Sequence, residues 1–171
     1  MKKTAVIADA VAFLILVAAD LYTKLLAAAW LKDKPPIVLW DGVLELRYLE
    51  NRGAAFGMFR DQKWFFVFIA TVISIAIVYV IVHIPPSKRY IPVHICLTLI
   101  VSGAVGNMVD RVYLGYVRDF IYFSIIDFPI FNFADICVSV GTVILVLLIL
   151  FKYRENDLAF LSFKPGSKKE F

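Results

Sequence analysis

The sequence predicts an all-α membrane protein: four transmembrane helices, a small extracytoplasmic β-hairpin or sheet inserted between spans one and two, and an interfacial segment between spans three and four. Two observations carry this reading. Apolar residues make up 61% of the 171 and charged residues 19%, against roughly 45–50% and about 25% in a soluble domain. The mean hydropathy of +0.81 comes from four apolar stretches. Each is close to the ~20 residues that a helix rising about 1.5 Å per residue needs to cross about 30 Å of hydrocarbon. Disorder and a soluble globule are excluded. Two cysteines are too few for a disulfide framework, and Cys96 and Cys137 lie inside apolar runs, where they read as small hydrophobes. The net charge of +4 is spread along the chain and offers no basic face to a nucleic acid.

Span one covers 4–30 and carries Asp9, Asp20 and Lys24. Its start, Met1-Lys2-Lys3 before an apolar run with Val17-Ala18-Ala19 further on, imitates a secretory signal. Asp9 interrupts the apolar region such a signal needs, so the stretch is read as a span. Span two, 64–84, contains no Asp, Glu, Lys or Arg. Span three, 90–109, lies between Lys88-Arg89 and Asp110, and span four, 133–151, holds Asp135 before Lys152 ends it. The whole chain, 1–171, then forms one membrane domain with both termini on the same side. The basic residues of the Ser87-Lys88-Arg89 turn and the Lys-rich tail place that side in the cytoplasm, while those of the 32–63 segment are mixed with acids.

Residues 35–60 are too polar to span. Ile37 to Trp40, the Asp41-Gly42 turn and Val43 to Leu49 read as strand, turn and strand, with Leu44, Leu46 and Tyr48 on one face and Glu45 and Arg47 on the other. Gly53 and Gly57 mark points where the backbone turns or something approaches closely. Residues 110–132, rich in Tyr and Phe, read as a segment lying in the membrane interface.

Ionisable residues within or at the end of a span are costly and so are functional candidates. Asp20 and Lys24, four apart on one helix face, read as a self-neutralising structural pair, and Asp9 as a hydrated carboxylate near the inner end. Asn107, Asp110 and Arg111 share one face at the end of span three; a local Asp110–Arg111 clamp is their plainest role. Gly103 and Gly106 before them let another helix pack closely. Asp110, Asp119, Asp127 and Asp135 gather at one leaflet, and any two brought close cannot both ionise easily. One ionised and one protonated carboxyl are what an aspartic peptidase requires, with Asp119 and Asp135 the pair of most interest, though spacing alone leaves the pairing open. His83 and His94 fall near the opposite ends of their spans, with no zinc-ligand spacing. No serine has a histidine base at its depth, and a Ser–Lys pairing with Lys24 stays open. No phosphate-binding glycine loop is present.

Five motifs taken in order resemble the bacterial lipoprotein signal peptidase (signal peptidase II) family over nearly the whole chain. They are Asp20-Leu-Tyr-Thr-Lys24, Asn51-Arg-Gly-Ala-Ala-Phe56, Gly103-Ala-Val-Gly-Asn-Met-Val-Asp-Arg111, Val117-Arg-Asp-Phe-Ile121 and Phe131-Asn-Phe-Ala-Asp135. The resemblance implies an aspartic endopeptidase of the cytoplasmic membrane that removes signal peptides from diacylglyceryl-modified prolipoproteins, cutting on the N-terminal side of the lipidated cysteine. It implies Asp119 and Asp135 as the catalytic pair near the outer leaflet. It also implies Asn51, Gly53, Asn107, Arg111 and Asn132 as substrate-binding residues, with Asp20 supporting the outer segment and Lys24, Asp110, Gly103 and Gly106 as structural support. Ser102 stands where the family often has a second glycine. Expected partners are the lipid-modified prolipoprotein, membrane lipids and cyclic peptide inhibitors of the globomycin type, with no cofactor, no metal and a monomeric state. The competing reading is a small proton-coupled carrier or an assembly factor, and a third is an inactive relative that binds lipopeptides.

Overall fold

The computed structural model describes residues 2–53 and 62–161. Four helices form the body: α1 (Lys2–Leu31), α2 (Lys63–His83), α3 (Ile91–Leu114) and α4 (Phe133–Phe151). All four are long and apolar enough to cross a membrane. Their outward faces are apolar, with Leu14, Ile15, Phe68, Ile75, Val143 and Leu150 exposed, while the buried set includes Asp20, Lys24, Thr98, Ser102, Asp110 and Asn132. This inversion of the water-soluble pattern is how a bundle solvated by lipid is built, since hydrocarbon accepts apolar side chains and cannot satisfy polar ones.

α3 is the hub, packing against α1, α2 and α4. Close approach of α3 to its neighbours depends on missing side chains: a Cβ on Gly103 would collide with the Ala134 carbonyl of α4, and one on Gly106 with Asp20 Oδ2 of α1. Both glycines, expected to let another helix pack closely, lie against a neighbouring helix at these points. α3 stops at Gly115, whose φ of 85° suits a residue without a Cβ and whose N–H bonds the Arg111 carbonyl.

β1 (Ile37–Trp40) and β2 (Leu44–Asn51) form the expected hairpin. Within the segment 110–132 the structure adds elements the sequence reading did not name. Residues 110–114 complete α3, and β3 (Val117–Phe123) is a third antiparallel strand, giving the order β1-β2-β3. Val117, Arg118, Asp119 and Phe120 are all buried, so β3 lacks the alternation that marks a half-exposed strand. Pairing runs from Leu44 opposite Phe123 to Leu46 opposite Ile121, then resumes at Leu49 opposite Asp119. The extra β2 residue between them is a bulge of the kind that re-aims side chains beside a site. Leu46, Tyr48 and Ile121 pack on Ala27, Leu31 and Phe120, seating the sheet on the C-terminal end of α1.

Candidate active site

The C-terminal ends of α1 and α3, the N-terminus of α4 and the β2–β3 ladder converge beside a cavity of about 1310 Å³. Its lining includes Asn51, Gly53, Arg111, Asp119 and Asp135, with Phe66, Ile136 and Val140 forming an apolar wall. Five of the seven residues expected at the site thus line one cavity. The other two, Asn107 and Asn132, stand directly behind it.

The position of Asp135 follows from how α4 begins. Asn132 is the N-cap: its side-chain oxygen accepts from Asp135 N–H at 3.1 Å, and its own N–H donates back to Asp135 Oδ2 at 3.1 Å. This reciprocal capping box closes the first helical turn and fixes the carboxylate. The other oxygen, Oδ1, accepts from Asn107 Nδ2 at 2.8 Å. Asp119 comes from β3 and is 1% exposed. It accepts from Asn51 Nδ2 at 2.8 Å and from Asn132 Nδ2 at 2.6 Å. Asn132, with no exposed surface, therefore bonds both carboxylates. Burial, reinforced by the neighbouring Asp135 carboxylate, pushes Asp119 up to about 7.

The other charged residues singled out in the sequence have partners of their own. Asp20 and Lys24 pair at 2.7 Å as expected, and each reaches further: Lys24 Nζ donates to Asn107 Oδ1 at 2.8 Å, and Asp20 Oδ1 accepts the Ala134 N–H at 2.9 Å. Asp20 thus anchors the start of α4, where support of the outer segment was expected. The expected Asp110–Arg111 clamp is replaced by another. Asp110 takes Arg118 Nε at 3.0 Å and a second guanidinium N–H at 2.6 Å, plus the Arg118 backbone N–H at 3.0 Å. The turn at Gly115 carries Arg118 back onto the last turn of α3. Arg111 instead donates to the Gly53 carbonyl at 3.1 Å and lies over the Phe66 ring at 4.6 Å. Asp127 accepts from Tyr122 Oη at 2.6 Å. Gly57 and residues 54–56 of the second motif lie outside the described residues.

Three features escaped the sequence: Arg118 as the partner of Asp110, Phe66 beneath Arg111, and Asp9. Expected to be hydrated, Asp9 is bonded to His94 Nδ1 at 2.6 Å and Thr98 Oγ1 at 3.3 Å, joining α1 to α3. Only the first left a readable signal, the helix-stopping Gly115. Among the described residues no three His, Cys, Asp or Glu side chains gather into a metal cradle.

Two carboxyls joined through Asn132, lining a cavity that also presents apolar side chains, are equipped for acid–base hydrolysis of an amphiphilic substrate. Comparison with known proteins points the same way. The model of the signal peptidase II family matches residues 12–151. The lipoprotein signal peptidase of Caldanaerobacter subterraneus subsp. tengcongensis is 42% identical over 134 residues, 78% of this chain and 89% of that one. That of Streptococcus thermophilus is 41% identical over 150 residues, 87% and 94% of the two chains. A solved bacterial membrane enzyme structure, obtained by the in meso method at 2.3 Å resolution, superposes with a TM-score of 0.75 at 29% identity, covering 93% of this chain and 94% of that one. A second, at 1.9 Å resolution, gives 0.73 at 30% identity over 85% and 94%.

Proposed function

The chain belongs to the lipoprotein signal peptidase (signal peptidase II) family, and from that premise we propose that it works as an aspartic endopeptidase with Asp119 and Asp135 as its catalytic pair. The observation that carries the proposal is the shared partner: Asn132 bonds Asp119 through its amide and Asp135 through its backbone N–H. One carboxylate takes a proton from water as the hydroxide adds to the scissile carbonyl carbon. The protonated partner donates to that carbonyl oxygen, and the tetrahedral adduct collapses with its proton passing to the departing amine. In this reading Asp135, bonded by Asn132 N–H and Asn107 Nδ2, takes the water-activating role. Asp119, pushed up to about 7, suits the protonated one.

Family membership places the chain among lipoprotein-processing peptidases and not among carriers. The finer reading is a diacylglyceryl-modified prolipoprotein cut before its lipidated cysteine, with the acyl chains left in the bilayer against the apolar wall of Phe66, Ile136 and Val140. We further propose a monomer in the bacterial cytoplasmic membrane, both termini inside, with the cavity at the outer leaflet and open to cyclic peptide inhibitors of the globomycin type. Asn51, Gly53, Asn107, Arg111 and Asn132 supply the polar groups an extended peptide backbone needs.

The test is cleavage of a diacylglyceryl-modified signal peptide by purified protein in detergent. Asp119→Asn and Asp135→Asn each lower turnover about 10²- to 10⁴-fold, the range for losing a general acid or base, while binding of the uncleaved peptide persists. Near wild-type turnover in either variant overturns the pair.

A further inference from the structure

Among the described residues Lys24 is the largest of the fully buried side chains, with no exposed surface, and it sits on α1, which contributes no residue to the cavity lining. An ion pair with Asp20 alone would account for a neutral helix, but it leaves unexplained the second bond of Lys24, to Asn107 Oδ1 at 2.8 Å. That same oxygen accepts from Asn132 Nδ2 at 3.1 Å. With both donors on its oxygen, the amide of Asn107 has one orientation, and its Nδ2 faces Asp135 Oδ1 at 2.8 Å. Turning the amide over would set its NH2 against an ammonium and a second NH2, and its oxygen against a carboxylate. Such mismatches are expensive in a buried network.

We propose that Lys24 is a positioning residue for the reaction: it fixes the amide of Asn107 so that an N–H is aimed at Asp135, the carboxylate that activates water. The proposal rests on the aspartic reading above and extends it one residue outward, from Asp135 through Asn107 to Lys24. Asp20 completes the chain of contacts by balancing the ammonium and holding the Ala134 N–H, so one ion pair on α1 sets both the first turn of α4 and the amide behind its carboxylate. Lys24 touches no reacting atom and acts only through Asn107.

The experiment removes the pair together, as Asp20→Asn with Lys24→Met, so that no unpartnered charge stays buried and the amide oxygen introduced at position 20 can still accept from Ala134. In detergent, with folding checked by thermal melting, kcat falls about 10- to 100-fold, the scale seen when an outer-shell partner is lost. KM stays within about threefold, and the acid limb of the pH–rate profile moves to higher pH. Lys24→Gln on the Asp20→Asn background restores a neutral donor to Asn107 and recovers most of the turnover. Adding Asn107→Ala to the Asp20→Asn, Lys24→Met protein costs nothing beyond Asn107→Ala alone, because both changes break the same link. Asn107→Asp keeps both acceptor bonds while deleting the donor, and it gives the same loss of kcat in a protein whose ion pair is intact. Wild-type kcat per folded molecule in the Asp20→Asn, Lys24→Met protein or in Asn107→Asp overturns the proposal, as do losses that multiply with Asn107→Ala. Failure of the aspartic reading shows itself separately, as turnover surviving Asp119→Asn or Asp135→Asn.

Discussion

At the end of the bundle away from the cavity, Ile77, Ile81 and Ile84 pack on Val93, Leu97 and Val101, closed by the stacked rings of Tyr90 and Tyr153. At the cavity end α1, α3 and the N-cap of α4 bury Asp20, Lys24, Asp110 and Asn132, and the sheet adds Arg118 and Asp119. Apolar packing gains little over lipid contact inside a membrane, so it gives shape and modest stability. Hydrogen bonds whose alternative is an unsatisfied group in hydrocarbon fix positions far more sharply. Among the described residues, the buried side-chain N and O atoms without a partner are Ser74 Oγ and Ser124 Oγ, neither of them in the polar network around the two carboxylates. The cavity end is thus specified atom by atom, and the far end mostly by volume, with the bonds of Asp9 to His94 and Thr98 as its polar link between α1 and α3.

That contrast breaks first at the two carboxylates, where Asp119→Asn and Asp135→Asn remove nearly all turnover and little stability, read by cleavage and melting on the same samples. Acidity comes next. With Asp119 at about 7 against an ordinary 3.8, the folded protein holds a proton across that interval which the unfolded chain has lost. Its contribution to stability is complete below 3.8 and disappears as pH rises through about 7. In the proposed mechanism turnover needs the proton on Asp119, so it declines over the same upper limb. Melting temperature and cleavage measured against pH check both, and Asp119→Asn flattens the stability component. Asp110→Ala strands the Arg118 guanidinium and costs about 3–5 kcal/mol, measured as a lowered melting midpoint. Gly106→Ala drives a methyl into Asp20 and costs about 1–3 kcal/mol, with turnover per folded molecule falling as the Asp20–Lys24 pair shifts. The smallest effect belongs to the far end: Leu97→Ala costs no more than about 2 kcal/mol, the low end of the range for buried leucine, and leaves turnover per folded molecule unchanged.

Much of this was legible in the sequence. Span four was placed at its observed limits, spans one and two within two residues, and β1 residue for residue, because length and apolar composition alone decide these. The third strand was not, since Val117 to Phe120 is buried on both faces and its partner Asn51 lies 68 positions from Asp119. The same distance problem hid Asp9, whose partner His94 is 85 positions away. Physical chemistry in the sequence narrowed the acids to a cluster at one leaflet, and the family motifs selected among them. What no pattern encoded was the traffic between side chains, such as Asn132 serving both aspartates or Arg118 displacing Arg111 at Asp110. Those choices depend on where a strand turns back onto a helix.

The two buried ion pairs described above are short-range along the chain: Lys24 finds Asp20 four residues back, and Arg118 finds Asp110 eight residues back. During biogenesis each charged segment therefore brings its own counter-ion into the translocation machinery. Neither pair has to wait for a later helix before it can leave water, and the polar end of the molecule can be laid down in the order in which it is synthesised.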